Sequence, residues 1–395
     1  MRPRARRRKA ALAAGLLAAW ALGAAPRARA MTPEDQALVD RGEDALYRCD
    51  YDGAQAIFRD ALKARPHDAV LSLGLAVSAW WRMENDFALP GTPEEKAFFA
   101  AVKGAIADAK AARKGGAPAE GWLYLGAAYG LRGRREASLH HWISAYFDGR
   151  RAYKDARRAV RLDPELYDAY LGIGAFDYYV ATLGRFIRVL SFARGGSREK
   201  GLAELDLAAR KSRFSRVAAQ LLIVGIDWTF EKKPENAWSI LDSLHRRYPD
   251  SPLIDSMRLI GLFHLKEGES LETEARADLD KARKGADFYR PIDRAGAHYF
   301  LGVGLQMQGD AAQALDEYQA GLRWAPEGQR LRSLLWLAVG EAQDLLGRRD
   351  AAKDAYRQAL REQPLWGVPR YARFRLKRPF RPGDNPLPAR NEALE

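Results

Sequence analysis

Residues 333–366 read SLLWLAVGEAQDLLGRRDAAKDAYRQALREQPLW, and this stretch decides the fold. Gly340, Ala352, Tyr356, Ala359 and Pro364 stand at fixed offsets within it, and the same offsets recur upstream. Gly42, Ala54, Phe58, Ala61 and Pro66 form one set; Gly225, Ala237, Leu241, Leu244 and Pro249 another; Gly302, Ala314, Tyr318, Gly321 and Pro326 a third. Small residues at the first two offsets let two antiparallel helices approach closely, and the large residue at the third fills the next gap. Proline cannot continue a helix, so the fifth offset marks the loop to the next unit. Turn signals such as Asp50-Tyr51-Asp52-Gly53 and Gly347-Arg348 lie between the two halves. Each unit is therefore a helical hairpin of about 34 residues.

Working outward, the best repeats are 35–68, 119–166, 218–251, 295–328 and 333–366, within an array spanning 31–364. Some units depart from the period. After Gly74 the second helix waits for the capping box Thr92-Pro93-Glu94-Glu95. The extra length between Gly126 and Pro164 reads as a long second helix from about Arg135 to Leu162. The unit from Gly261 to Lys284 reads as out of register. The apolar stretch 178–193 is expected to leave the hairpin course, with a helix from about Leu183 to Ala193 lying over the inner groove.

Residues 1–30 have the order of a secretory signal: basic from Arg2 to Lys9, apolar from Ala10 to Ala25, then Ala28-Arg29-Ala30. The expectation is an exported chain, periplasmic or secreted after cleavage at about Ala30, the alternative being an inner-membrane anchor. That segment holds eight Arg or Lys and no acid, so the net charge of +13 falls to +5 without it. Segment 365–395, a basic capping segment and tail, carries +4 of the remainder. The repeat body is nearly neutral, which argues against nucleic acid as a partner. Cys49 is the sole cysteine and excludes an intramolecular disulfide and a thiolate metal cluster.

No catalytic or metal motif emerges: the six histidines are scattered, and no His-Glu-x-x-His or Gly-x-Ser-x-Gly occurs. No cofactor, no metal site and no catalytic residue is expected, and the chain reads as a non-enzyme.

The repeated residues, with Trp122, Leu125, Gly126 and Tyr129 and again Trp336 and Gly340, resemble the tetratricopeptide repeat family. The resemblance implies an all-α right-handed superhelical solenoid of antiparallel hairpins with irregular insertions. It also implies that first helices line a concave face, here through Leu71, Leu75, Leu123, Tyr178, Leu222, Ile226, Tyr299 and Val303. Family members that read acidic tails use Lys and Asn where this chain has Leu71, Leu75, Leu123 and Ala127, so that mode is disfavoured. The function expected is a protein–protein interaction scaffold or adaptor of the bacterial cell envelope, holding a protein or peptide segment on an apolar concave surface. Two alternatives stand beside it: a membrane-associated structural protein held by an uncleaved N-terminus or by 178–193, and an enzyme with an unrecognised site. Whether the apolar stripe is open to a partner or filled by the chain itself is undecided by sequence.

Overall fold

A computed structural model describes residues 31–85, 88–182, 196–365 and 367–386. The segment 1–30 and the expected helix at 183–193 lie outside the described residues. Within them the chain is helical and contains no strand. Eight hairpins follow one another: α1 (Pro33–Tyr47) with α2 (Tyr51–Ala64), α3 (Ala69–Asn85) with α4 (Pro93–Ala112), α5 (Pro118–Ser138) with α6 (Trp142–Leu162), and α7 (Ala169–Thr182) with α8 (Arg198–Lys211). Then come α9 (Arg216–Ile226) with α10 (Pro234–Arg247), α11 (Pro252–Leu265) with α12 (Gly268–Arg283), α13 (Pro291–Met307) with α14 (Ala311–Trp324), and α15 (Leu331–Leu345) with α16 (Arg349–Arg361). A last helix, α17 (Val368–Lys377), closes the C-terminal end.

The caps explain the starts. Thr32, Thr92, Ser197 and Ser251 each accept a hydrogen bond from a backbone N–H in the first turn of the following helix. Prolines occupy the first turn of seven helices, where the missing N–H costs nothing.

Glycines at the crossings do what their spacing predicts in three hairpins. A Cβ on Gly42 would sit 2.3 Å from the Phe58 ring, one on Gly302 2.4 Å from Tyr318, and one on Gly340 2.4 Å from Tyr356. Phe58 reaches further and also abuts Gly74 of the next hairpin, tying α1, α2 and α3 together. Gly225 is the exception, because a Cβ there would meet nothing within 4 Å. Helix α9 continues into a π-helical turn, Asp227–Glu231, and the wider turn moves the crossing off the expected register.

One other expectation is corrected. The extra length after Gly126 is shared between both helices: α5 runs to Ser138, the chain turns at Leu139–His141, and α6 begins at Trp142. Small residues make this long pair. Cβ positions on Gly126 and Gly133 would lie 3.0 to 3.1 Å from α6 atoms, so the two backbones run close along their length. The unit from Gly261 to Lys284 is a hairpin turned tightly at Lys266 with φ +63°, and a Cβ on Gly261 would meet Trp238 and Leu241 of the preceding hairpin rather than its own second helix.

Candidate interaction site

The eight residues expected on a concave face are mostly core. Leu71, Leu123, Tyr178, Ile226, Tyr299 and Val303 are buried, and only Leu75 and Leu222 are half-buried. A side chain with no exposed surface cannot touch a partner in this conformation. Tyr178 packs edge-on against Phe230 at 6.0 Å, and its hydroxyl donates to Glu231. Arg198 Nε donates to the same carboxylate at 2.7 Å and holds its pKa below the usual range, while burial and that carboxylate push the Tyr178 phenol up. Tyr299 packs against Tyr318 at 5.9 Å within the core of the last hairpins.

The chain itself fills part of the interior. The tip of the first hairpin, from Leu46 to Ala54, shares a core with Val217, Leu221, Val224, Leu241 and Ile254, so the array winds back upon its fifth and sixth hairpins. Tyr47 lies against Tyr248 at 5.8 Å, and the Arg290 guanidinium stands 5.5 Å from the Tyr51 ring. Cys49, at φ +69° in the turn, is buried here, and burial raises its thiol pKa. Burial and the Arg135 guanidinium lower the pKa of Arg330, opposed by Glu84.

One opening is rich in charged side chains. A cleft of about 710 Å³ lies where α1 faces α9 and the end of α10. Its α1 wall carries Asp40, Glu43 and Asp44, the opposite wall Lys211, Arg213, Arg216 and Arg247. Arg247 reaches Asp44 at 3.6 Å across the cleft. Glu43 is pushed well above the usual carboxylate range by burial, then by Asp168 and Asp40, with Arg247 opposing. Asp168 fixes the basic wall, accepting the N–H groups of Arg213, Phe214 and Ser215 at 2.8 to 3.1 Å and the Ser215 hydroxyl at 2.9 Å. Such a cleft can hold a segment carrying both signs of charge. Its two walls lie far apart in the chain and follow no local spacing, so the cleft is not legible in the sequence.

Residues 334–364, which form α15 and α16, match the family model described as tetratricopeptide repeat. This hairpin is a tetratricopeptide repeat. Its solved structural neighbours include a Rap protein complexed with competence and sporulation factor, at 13% identity and TM-score 0.40, covering 86% of this chain and 78% of that one. They also include a human IFIT1 dimer with PPP-AAAA, at 14% identity and TM-score 0.31 over 84% and 72% of the two chains. The tetratricopeptide repeat domain of P58(IPK) is similar at 13% identity and TM-score 0.26 over 87% and 96%. No curated protein matches the chain. Tetratricopeptide-type folds are generally non-enzymatic scaffolds for protein–protein interaction.

Four of the six histidines stand beside separate carboxylates. His67 meets Asp108 at 3.0 Å, His141 meets Glu136 at 2.9 Å, His245 meets Asp255 at 3.1 Å and His298 meets Glu317 at 2.7 Å. Among the described residues no three His, Cys, Asp or Glu side chains converge as metal ligands. The basic segment after residue 365 packs as α17 over the last repeat: Val368 and Ala372 are buried, and Arg349 donates to the carbonyls of Arg375 and Leu376 at 2.7 and 2.9 Å. No described helix is long and apolar enough to cross a membrane.

Proposed function

We propose that this protein is an exported, non-catalytic adaptor that holds a polar, mixed-charge segment of another protein in the cleft between α1 and α9–α10. One observation carries the reading: the first hairpin's tip and the buried inner side chains occupy the interior that an apolar ligand would need, and the wide opening left is lined by three acids facing four bases. A segment with alternating charges can satisfy both walls, while an apolar peptide would leave them unpaired at a cost. The basic, apolar and small-residue order of 1–30 supports export, with Met31 at the rim of the cleft as the first residue after cleavage.

Site-specific photocrosslinking in cells tests the cleft. A benzoyl-phenylalanine at Gln36 should capture a discrete protein, the capture should fall when Arg216 and Arg247 are changed to Glu, and the same probe at exposed Asp350 should not report that protein. Equal capture at both positions would remove the assignment. Intact mass of the secreted or periplasmic fraction tests export: the expected product begins at Met31, and retention of 1–30 in a membrane fraction would replace export with anchoring.

A further inference from the structure

Helix α6 presents an exposed outward face. Ile143, Phe147, Arg150, Lys154, Arg157 and Arg161 recur at intervals of three and four, which places them on one side of the helix, and all six are exposed. Ile143 is 71% exposed and Phe147 53%, with Trp142 beside them at 45%; elsewhere the large exposed apolar side chains among the described residues are scattered. The two acids of α6 point inward. Asp148 is buried against Arg132, whose Nε and Nη2 donate at 2.6 and 2.7 Å, and Asp155 is buried with Arg158 at 3.3 Å. Arg150, Lys154, Arg157 and Arg161 make no ion pair among the described residues. The result is an acid-free strip about 27 Å long from the rise of the helix, apolar at its first end and cationic along the rest.

We propose that α6 is a membrane-docking face that takes an acidic phospholipid surface. Trp142, Ile143 and Phe147 enter the boundary between headgroups and acyl chains, where aromatic and branched apolar side chains gain most, and the four free cations meet lipid phosphates. The apolar and cationic elements are two signals on one face, the combination that stable peripheral binding requires. Their segregation argues for lipid over nucleic acid. Single-stranded binding sites stack aromatics on successive bases along a basic groove, whereas here the apolar side chains are gathered at one end of a convex helix and Ile143 has nothing to stack upon. The proposal is independent of the cleft, which lies on α1, α9 and α10.

The test exploits the single buried cysteine. In the full-length protein Ser144→Cys supplies one accessible thiol for an environment-sensitive nitrobenzoxadiazole label, and Asp350→Cys on α16 supplies a remote control. Vesicles of phosphatidylglycerol and phosphatidylcholine should raise and blue-shift emission at position 144 and not at 350, vesicles of phosphatidylcholine alone should do neither, and the response should weaken with salt. Because the label reads the α6 face, binding through residues 1–30 leaves it silent. The Arg150→Gln, Lys154→Gln, Arg157→Gln, Arg161→Gln variant should bind acidic vesicles at least about tenfold more weakly. Ile143→Ser with Phe147→Ser should abolish the blue shift. All six positions are exposed, so thermal unfolding should be unchanged and loss of response is not loss of fold. Silence at position 144 with acidic vesicles, or an undiminished response in both variants, overturns the proposal. A stronger response to a DNA or RNA oligonucleotide than to vesicles overturns it in favour of nucleic acid.

Discussion

Ser251 donates its hydroxyl hydrogen to the carbonyl oxygen of Tyr47 at 2.5 Å, a buried bond between residues 204 positions apart. The same hydroxyl accepts the Ile254 N–H at 3.2 Å, so one side chain caps α11 and fastens the end of α1 to it. Ser251→Ala leaves the Tyr47 carbonyl without this buried donor and α11 without its cap, a loss of roughly 1 to 3 kcal/mol. Chemical denaturation measures the loss, and amide exchange should accelerate in Leu46–Ala54 more than in α15 and α16. Uniform exchange across the chain would contradict the fastening role.

Glycine substitutions should divide according to what each meets. Gly302→Ala and Gly340→Ala force a methyl against a buried tyrosine ring and should each destabilise by about 1 to 3 kcal/mol. Gly225→Ala and Gly104→Ala meet open space inside helices and should stabilise by roughly 0.5 to 1 kcal/mol through reduced backbone entropy. Thermal melts of the four variants decide it; a loss at Gly225 equal to that at Gly302 would restore the register the sequence predicts.

Arg135 and Glu95 form a buried pair between α5 and α4, with Nε and Nη2 donating to one carboxylate oxygen at 2.8 and 2.6 Å. Nη2 also donates to the Ala88 carbonyl at 3.2 Å, and Glu95 accepts the Gly91 N–H at 2.6 Å. The pair thus closes the loop before α4. Arg135→Met strands a buried carboxylate and should cost about 3 to 5 kcal/mol, whereas the double change with Glu95→Met should recover much of that loss. A double variant as unstable as the single one would locate the cost in packing.

Glu341 in α15 is fully buried, neither carboxyl oxygen has a hydrogen-bond partner, and the nearest cation, Arg375 Nε, stands 3.7 Å away. Burial raises its pKa well above the ordinary carboxylate value; Arg375 opposes, and Asp384 and Asp344 add to the rise. The folded state therefore holds a proton that the unfolded chain releases. Its contribution is fully present below the unfolded value near 4.5 and is lost as pH rises through the raised folded value. Glu341→Gln should flatten the fall in melting temperature between acidic and neutral pH and raise stability at pH 7. An unchanged slope would mean that Glu341 is ionised in the fold.

Much of the fold was legible because its determinants are local. The offsets joining Gly42 to Phe58, Gly302 to Tyr318 and Gly340 to Tyr356 lie within single hairpins, and the Thr92 cap sits beside the helix it starts. The hairpin of α5 and α6 was misread because Arg135 and Glu136 look like the start of a helix, while Gly126, Gly130 and Gly133 let the earlier helix run on beside α6. Whether the inner face is open was not legible for a different reason. Leu71, Leu123 and Ile226 were placed by analogy with an extended superhelix, and the winding that buries the first hairpin depends on contacts such as Tyr47 with Tyr248 that no spacing encodes.

The bond between Ser251 and Tyr47 also sets an order of events during synthesis. In a simple array each hairpin needs only its neighbours and can mature as soon as it leaves the ribosome. Here Leu46, Tyr47 and Cys49 wait for Val217, Leu241 and Ile254, and at translation speeds of about 5 to 20 residues per second that wait is roughly 10 to 40 s. The end made first is the end finished late, and for that interval its apolar tip is bare to whatever receives nascent chains.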